Sequence, residues 1–254
     1  MSDSDKTQAL IQLAGAVAHE LNNIFTAVAG NLSLLDEHVE HGSAPKEMIG
    51  EVVRTAQRGI ELSAKLQAFA GRQPLKRKLL DVNRVMFEVA LDLRNDLREA
   101  VSVEFIPASR ACPSFADEDK LRDTVVELAA NAVAAMSGSG RLCIAVDART
   151  LPTKNGFNLR SGAYIVVTVT DTGPGMKPEI AARALDPMFS TKASHFNAGW
   201  GLSNCAGFLR QSGGGMKIGS EPGRGTSIEI VLPEDPLATR AQPTGPRAGN
   251  RDVA

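Results

Sequence analysis

Apolar residues recur at steps of three and four from Leu10 through Leu13, Val17, Leu21, Ile24, Val28, Leu32 and Leu35 to Val39. That repeat sets one face of an α-helix against a partner. It predicts a first helix from about Asp5 to Glu40, stopped at His41-Gly42-Ser43-Ala44-Pro45, where glycine ends one helix and proline starts the next. A second stripe, Ile49, Val52, Val53, Ala56, Ile60 and Leu66, carries a second helix to about Phe69. A two-helix hairpin cannot bury both stripes by itself, so residues 1–72 are expected to pair with a second copy as a four-helix bundle. The alternative is that the hairpin folds back on the rest of its own chain.

Beyond Gly71-Arg72-Gln73-Pro74 the period changes, and residues 73–80 read as a linker. Asp81 is placed to cap a helix to about Arg98, and Val101 to Ile106 is a short strand. Another helix spans about Asp117 to Met136, with acids in its first turn and Ser137-Gly138 as its stop. Arg141 to Ala148 is expected to pair with the β-branched run Tyr164 to Thr170, which ends at Asp171. Lys177 to Ala198 is polar and poorly periodic, as a mobile lid would be. Gly199-Trp200-Gly201-Leu202-Ser203 opens an apolar helix, and a hairpin follows: Gly215 to Gly219, the turn Gly223-Arg224-Gly225-Thr226, and the alternating strand Ser227 to Leu232. These elements compose an α/β sandwich over residues 81–233, a mixed sheet with helices on one face. Residues 234–254, with Pro236, Pro243 and Pro246 and few large apolar side chains, read as a flexible tail.

The candidate chemistry lies on these elements. His19 falls off the apolar stripe and projects to solvent, a poor place for a packing histidine and a good one for a reactive imidazole. Asn23 shares its face one turn on, and the Glu20 carboxylate can approach the ring nitrogen that is not reacting. Asp171, delivered to a strand end and followed by Gly173 and Gly175, is an acceptor suited to the exocyclic amine of an adenine. Glu127 and Asn131 share a helix face and offer a hard-ligand oxygen pair for Mg²⁺. Gly199 and Gly201 at a helix start leave backbone N–H groups free for phosphate.

In this order the segments resemble a sensor histidine kinase. His19-Glu20-Leu21-Asn22-Asn23 is similar to that family's phosphoacceptor box, with Gly30-Asn31-Leu32 after it. Glu127 to Asn131 resembles its asparagine box, Asp171 to Gly175 its first glycine box, Phe189 to Lys192 its phenylalanine box and Gly199 to Ser203 its second glycine box. The resemblance implies a GHKL-type ATP-binding domain, ATP and Mg²⁺ as cofactors, and His19, Glu20 and Asn23 as catalytic residues. It places Asn131, Asp171, Gly173, Gly175, Lys192, Gly199, Gly201, Leu202 and Thr226 around the nucleotide, and Glu127 and Asn131 on the metal. It further implies phosphate transfer to an aspartate of a separate response regulator, with Asn23 positioning water for the reverse, phosphatase direction.

Two departures keep other functions open. Glutamate at 127 replaces the family's usual asparagine and is similar to the water-activating glutamate of gyrase-type ATPases. Asn197 and Trp200 replace a glycine and a leucine, as in a dimeric histidine phosphotransfer protein whose nucleotide domain has degenerated. Trp200 reads either as an anchor beneath the glycine turn or as a ring beside the nucleotide. His38 and His41 suit a helix end, and His195 a solvated loop.

Composition narrows the field. A net charge of −1 over 254 residues gives no nucleic-acid footprint. Three scattered cysteines, Cys112, Cys143 and Cys205, favour neither a disulfide framework nor a metal cluster and suit a reducing cytoplasm. No apolar run is long enough to span a bilayer. The phosphoacceptor helix begins almost at the first residue, so the expectation is a separate sensor protein upstream and a separate receiver downstream.

Overall fold

The computed structural model describes residues 3–40, 43–97, 101–191 and 199–235. Helix α1 (Asp3–Asp36) and helix α2 (Ala44–Phe69) form the hairpin. Helix α1 stops at Asp36, one turn short of Glu40, because its last carbonyls are taken by other groups. His38 Nδ1 lies 2.8 Å from the Leu34 carbonyl, and Lys46 Nζ donates to the Asp36 carbonyl at 2.7 Å. His38 thus serves the helix end as expected, while His41 lies outside the described residues. At the far end of α2, Gly71 takes φ +66° and closes a left-handed cap, with Arg72 N donating to Gln67 O and Gly71 N to Ala68 O.

The first apolar stripe divides into two halves. Ala18 and Ala56 are buried where the helices meet, and the Phe25 ring rests on Gly59, whose missing Cβ would stand 2.6 Å from it. Leu13 (61% exposed), Val17, Ile24 (50%), Val28 and Leu35 on α1, with Met48 and Val52 on α2, face solvent in the single chain.

The second unit contains β1 (Lys78–Asp81), α3 (Val82–Leu97), β2 (Val101–Ile106), β3 (Pro113–Ala116), α4 (Glu118–Ala135), β4 (Gly140–Leu151), β5 (Gly162–Asp171), α5 (Pro178–Arg183), α6 (Gly201–Gln211), β6 (Gly215–Glu221) and β7 (Gly225–Pro233). The main sheet runs β2-β4-β5-β7-β6, with β2 and β4 parallel and the other pairs antiparallel. Helices α3, α4 and α6 cover one face, where Met86, Leu121, Leu128, Ile144, Ile165, Phe208 and Ile230 share one core. On β5 the alternate residues Tyr164 and Val166 turn to the other face, a smaller cluster covered by Phe157 and Leu159 of the β4–β5 connection.

Caps fix the two helices that matter most. Asp81 Oδ1 accepts from Asn83 N at 3.1 Å at the head of α3, and Asp117 Oδ1 accepts from Lys120 N at 3.1 Å at the head of α4.

Three segments differ from the sequence pattern. Lys78–Asp81, read mostly as linker, pairs antiparallel with β3, placing Leu79 opposite Phe115. Strand β4 continues past Ala148 to Leu151, its register with β5 holding to Leu151↔Gly162. The lid segment opens with a short helix, α5, because Pro178 fixes a helical φ and lacks only an N–H that would be unpaired there anyway.

Candidate active site

His19, Glu20 and Asn23 are all exposed on α1, while Ala18 beside them is buried against the hairpin. One turn separates His19 from Asn23, so the imidazole and the amide share an open flank.

A cavity of about 650 Å³ opens between α4, the end of β5, the segment around α5 and the head of α6. Its wall includes Glu127, Asn131, Asp171, Gly175, Gly199, Gly201, Leu202 and Thr226, eight of the residues singled out in the sequence. Strand pairing sets Asp171 opposite Thr226, and the carboxylate is only 7% exposed. Its Oδ1 accepts from Gly173 N at 2.8 Å and from Thr226 N at 3.3 Å. Two backbone donors on one oxygen leave the other free for a donor in the cavity. Gly173 therefore stands behind Asp171, holding the carboxylate, and does not line the cavity itself. Gly175 takes φ +68°, and a Cβ there would come within 2.0 Å of the Glu221 carbonyl oxygen, so only glycine lets the β6–β7 turn close over this loop.

At the other end of the cavity Asn131 Nδ2 donates to Glu127 Oε1 at 3.3 Å, one helical turn apart on α4. The same oxygen lies where a Cβ on Gly201 would be, 1.9 Å from it, so the carboxylate is seated against the first residue of α6. Burial pushes the nearby Cys205 thiol up to about 12, with the charge of Glu127 as the second cause. Asn131 Oδ1 and the Glu127 carboxylate form a small hard-oxygen set. Such a set fits Mg²⁺, which keeps most of its coordination for water and phosphate, and among the described residues no cluster of three acidic, histidine or cysteine ligands competes for it.

Trp200 is 4% exposed and absent from the cavity wall. Its backbone carbonyl accepts from Ser203 Oγ at 3.0 Å and Asn204 N at 2.9 Å in the first turn of α6, and the burial of the ring away from the wall favours packing over a place beside the nucleotide. Lys192, His195 and Asn197 lie outside the described residues. Several wall residues were missed from sequence: Leu128, Ala132 and Ala135 on α4, Val169 on β5 and Ile228 on β7 give the cavity an apolar bed, and Met176, Lys177, Ile180 and Ala184 close its far side. The signal was present for the first group, since Leu128, Ala132 and Ala135 recur at helical spacing beside Asn131, and Val169 is two strand positions before Asp171.

Residues 116–236 match the family described as histidine kinase-, DNA gyrase B- and HSP90-like ATPases. The chain is 31% identical over 240 residues to the sensor kinase CckA of Brucella abortus, covering 92% of this chain and 25% of the relative. It is 28% identical over 230 residues to the sensor histidine kinase ZraS of Klebsiella oxytoca, covering 90% of this chain and 47% of that protein. The chain thus spans half or less of the length of these relatives. In fold it is similar to full-length ShkA in complex with AMPPNP, with a TM-score of 0.56, 21% identity and coverage of 88% of this chain and 46% of that one. It is also similar to the histidine kinase ThkA in complex with the response regulator protein TrrA, with a TM-score of 0.54, 18% identity and coverage of 92% and 64%. A helical hairpin followed by this sandwich is the architecture of a histidine kinase catalytic core. Residues 116–236 thus carry a GHKL-type ATP-binding domain, and hairpin and sandwich together resemble the catalytic core of a sensor histidine kinase.

Proposed function

We propose that this chain is a two-component histidine kinase that moves the γ-phosphoryl group of ATP onto His19 and then onto an aspartate of a separate response-regulator receiver domain. One observation carries the reading: a single chain holds an exposed imidazole on a hairpin flank and a cavity whose buried carboxylate and helix head suit the two ends of ATP. The AMPPNP bound by ShkA and the regulator bound by ThkA support it.

In this reading residues 1–72 dimerise, 81–233 bind nucleotide, 73–80 connect the two and 234–254 form a tail. Asp171 accepts the adenine amine through its free oxygen. Leu128, Ala132, Val169 and Ile228 bed the base. The N–H groups of Gly201 and Leu202 face the phosphates at the head of α6, joined by Lys192. Mg²⁺, held by Asn131 and Glu127, supplies charge neutralisation on the phosphate oxygens. The neutral His19 ring attacks phosphorus, the bond to the bridging oxygen breaks, and ADP leaves with that electron pair. Glu20 orients the ring and takes its displaced proton. Asn23 holds water for the reverse task of removing phosphate from the receiver. The solvent-facing stripe of α1 supplies the homodimer seam, in keeping with the unpaired apolar residues there. No helix among the described residues is long and apolar enough to cross a membrane, and the free cysteines suit a cytoplasmic site.

A second activity, slow ATP hydrolysis, is favoured by the Glu127 carboxylate on the cavity wall, where it can take a proton from an attacking water. Phosphotransfer is tested by mixing the protein, ATP and Mg²⁺ with a purified receiver domain. Labelled receiver with wild type and none with His19→Ala is expected. Free phosphate alone would favour the hydrolytic reading, and no nucleotide binding would favour a phosphotransfer protein with a degenerate pocket.

A further inference from the structure

The helix that bears His19 brings no cation to it. From Thr7 to Pro45 the chain contains neither lysine nor arginine. A phosphoryl group arriving at His19 brings negative charge, so any neutralising side chain on the hairpin must come from α2 or from the residues just after it.

Arg72 is placed to supply that charge. Past the end of α2, Gly71 takes φ +66° and Arg72 N donates to Gln67 O at 2.9 Å, so the chain turns back toward α1 at a fixed point. The Arg72 stem then lies on Gly15: a Cβ there would stand 2.6 Å from Arg72 Cδ, 3.0 Å from its Nε and 2.8 Å from the Ala70 Cβ. A side chain at position 15 would occupy the path of the stem. Gly15 is buried, whereas Arg72 is exposed, and among the described residues no hydrogen bond, ion pair or ring contact engages its guanidinium. The stem is seated and the charged head is free.

Gly15 and His19 are four residues apart, which places their Cβ positions about 5–6 Å from each other on one flank of α1. Side chains on an α-helix lean toward its N-terminus, so the imidazole leans over the turn that contains Gly15. The guanidinium, which begins at Nε, and the imidazole thus share one small patch of the hairpin surface.

We propose that Arg72 is a further catalytic residue, whose guanidinium binds the phosphoryl group at His19 during transfer from ATP and again during transfer to the receiver. The inference rests on the His19 reading above. As the N–P bond forms and the bond to the bridging oxygen of ADP breaks, the guanidinium donates N–H bonds to the phosphoryl oxygens. The same donors hold the group when an aspartate oxygen attacks phosphorus and the electron pair of the N–P bond returns to the imidazole. Gly15 is a positioning residue, because its missing side chain admits the Arg72 stem.

Two initial rates of the full chain provide the test: labelling by γ-labelled ATP with Mg²⁺, and back-transfer to His19 from a receiver domain phosphorylated with acetyl phosphate, which requires no ATP. Arg72→Gln should lower both by about 10- to 150-fold, the worth of one hydrogen bond to a charged group. Its ATP affinity by calorimetry should stay as in wild type, because Arg72 is absent from the cavity wall. Arg72→Lys should recover part of both rates. Gly15→Ala, which favours the helix, should lower both by pushing the stem aside, and should add little in the Arg72→Gln background. Arg72→Gln with both rates intact overturns the proposal. Slow labelling by ATP with normal back-transfer overturns it too, since Arg72 would then act on the posture of the ATP-binding domain and not on the phosphoryl group. A wild type that takes phosphate neither from ATP nor from the receiver overturns the His19 reading, and the role of Arg72 falls with it.

Discussion

Replacing Asp171 by asparagine should invert the hydrogen-bond code at the base of the cavity. Two backbone donors, Gly173 N and Thr226 N, converge on Oδ1, so the oxygen of an introduced amide must stay there and its NH₂ group must face the cavity. Folding is little affected, because both donors keep an acceptor. The adenine amine then meets a donor instead of a carboxylate oxygen. Losing a hydrogen bond to a charged group is worth about 1.5–3 kcal/mol, or about 10- to 150-fold in affinity. A purine with a carbonyl at the same position gains an acceptor opposite the new NH₂. Calorimetry with ATP and with inosine triphosphate, both with Mg²⁺, should show ATP weakened by that factor and the preference between the two reduced or reversed. Unchanged ATP affinity, or an equal loss for both nucleotides, would refute the placement of the base against Asp171.

Gly201→Ala sets a methyl group 1.9 Å from Glu127 Oε1, so this flexible carboxylate must swing aside, and ATP with Mg²⁺ should bind more weakly because Glu127 leaves its place on the cavity wall. Pairing it with Glu127→Ala should remove the clash, so a double-mutant cycle in calorimetry should show strong coupling. Ile24→Lys puts a charge in the exposed stripe of α1 and should turn a dimer into a monomer by light scattering while ATP still binds; a dimer retained would move the seam elsewhere. Cys205 stays protonated in the fold up to about 12, whereas an unfolded thiol ionises near ~8.5. The unfolded state therefore releases its proton first, and stability should fall as pH rises through this window, by up to about 1.4 kcal/mol per unit. Chemical denaturation of wild type and Cys205→Ala at pH 8 and 10 checks the sign, since the variant should lose this part of the slope.

Much of this arrangement was legible because it rests on long periodic segments and on caps. The run from Tyr164 to Asp171 could only be a buried strand, and its end had to present Asp171; Asp117 and the acids after it fixed the start of α4 and so the face shared by Glu127 and Asn131. The β1–β3 pair left no such mark. Four residues give too little alternation, and Leu79 and Phe115 face solvent where a buried pattern would show polar side chains. Helix α5 is too short for a period, although Pro178 followed by Glu179 is a helix start. Gly207 read as an ordinary glycine inside an apolar helix. Its reason for being glycine is a carbonyl more than 130 positions earlier in the chain, a long-range contact that no local pattern encodes.

The central claim is that His19 receives phosphate from ATP bound in the cavity. It is tested most directly by incubating the purified protein with γ-labelled ATP and Mg²⁺ and following the label through acid and base. Wild type should acquire a phosphate that acid removes and base leaves in place, as a phosphoramidate requires. Asn23→Ala should be labelled as well, and His19→Ala should take none. Label retained by His19→Ala, or an acid-stable phosphate on the wild type, would contradict the account.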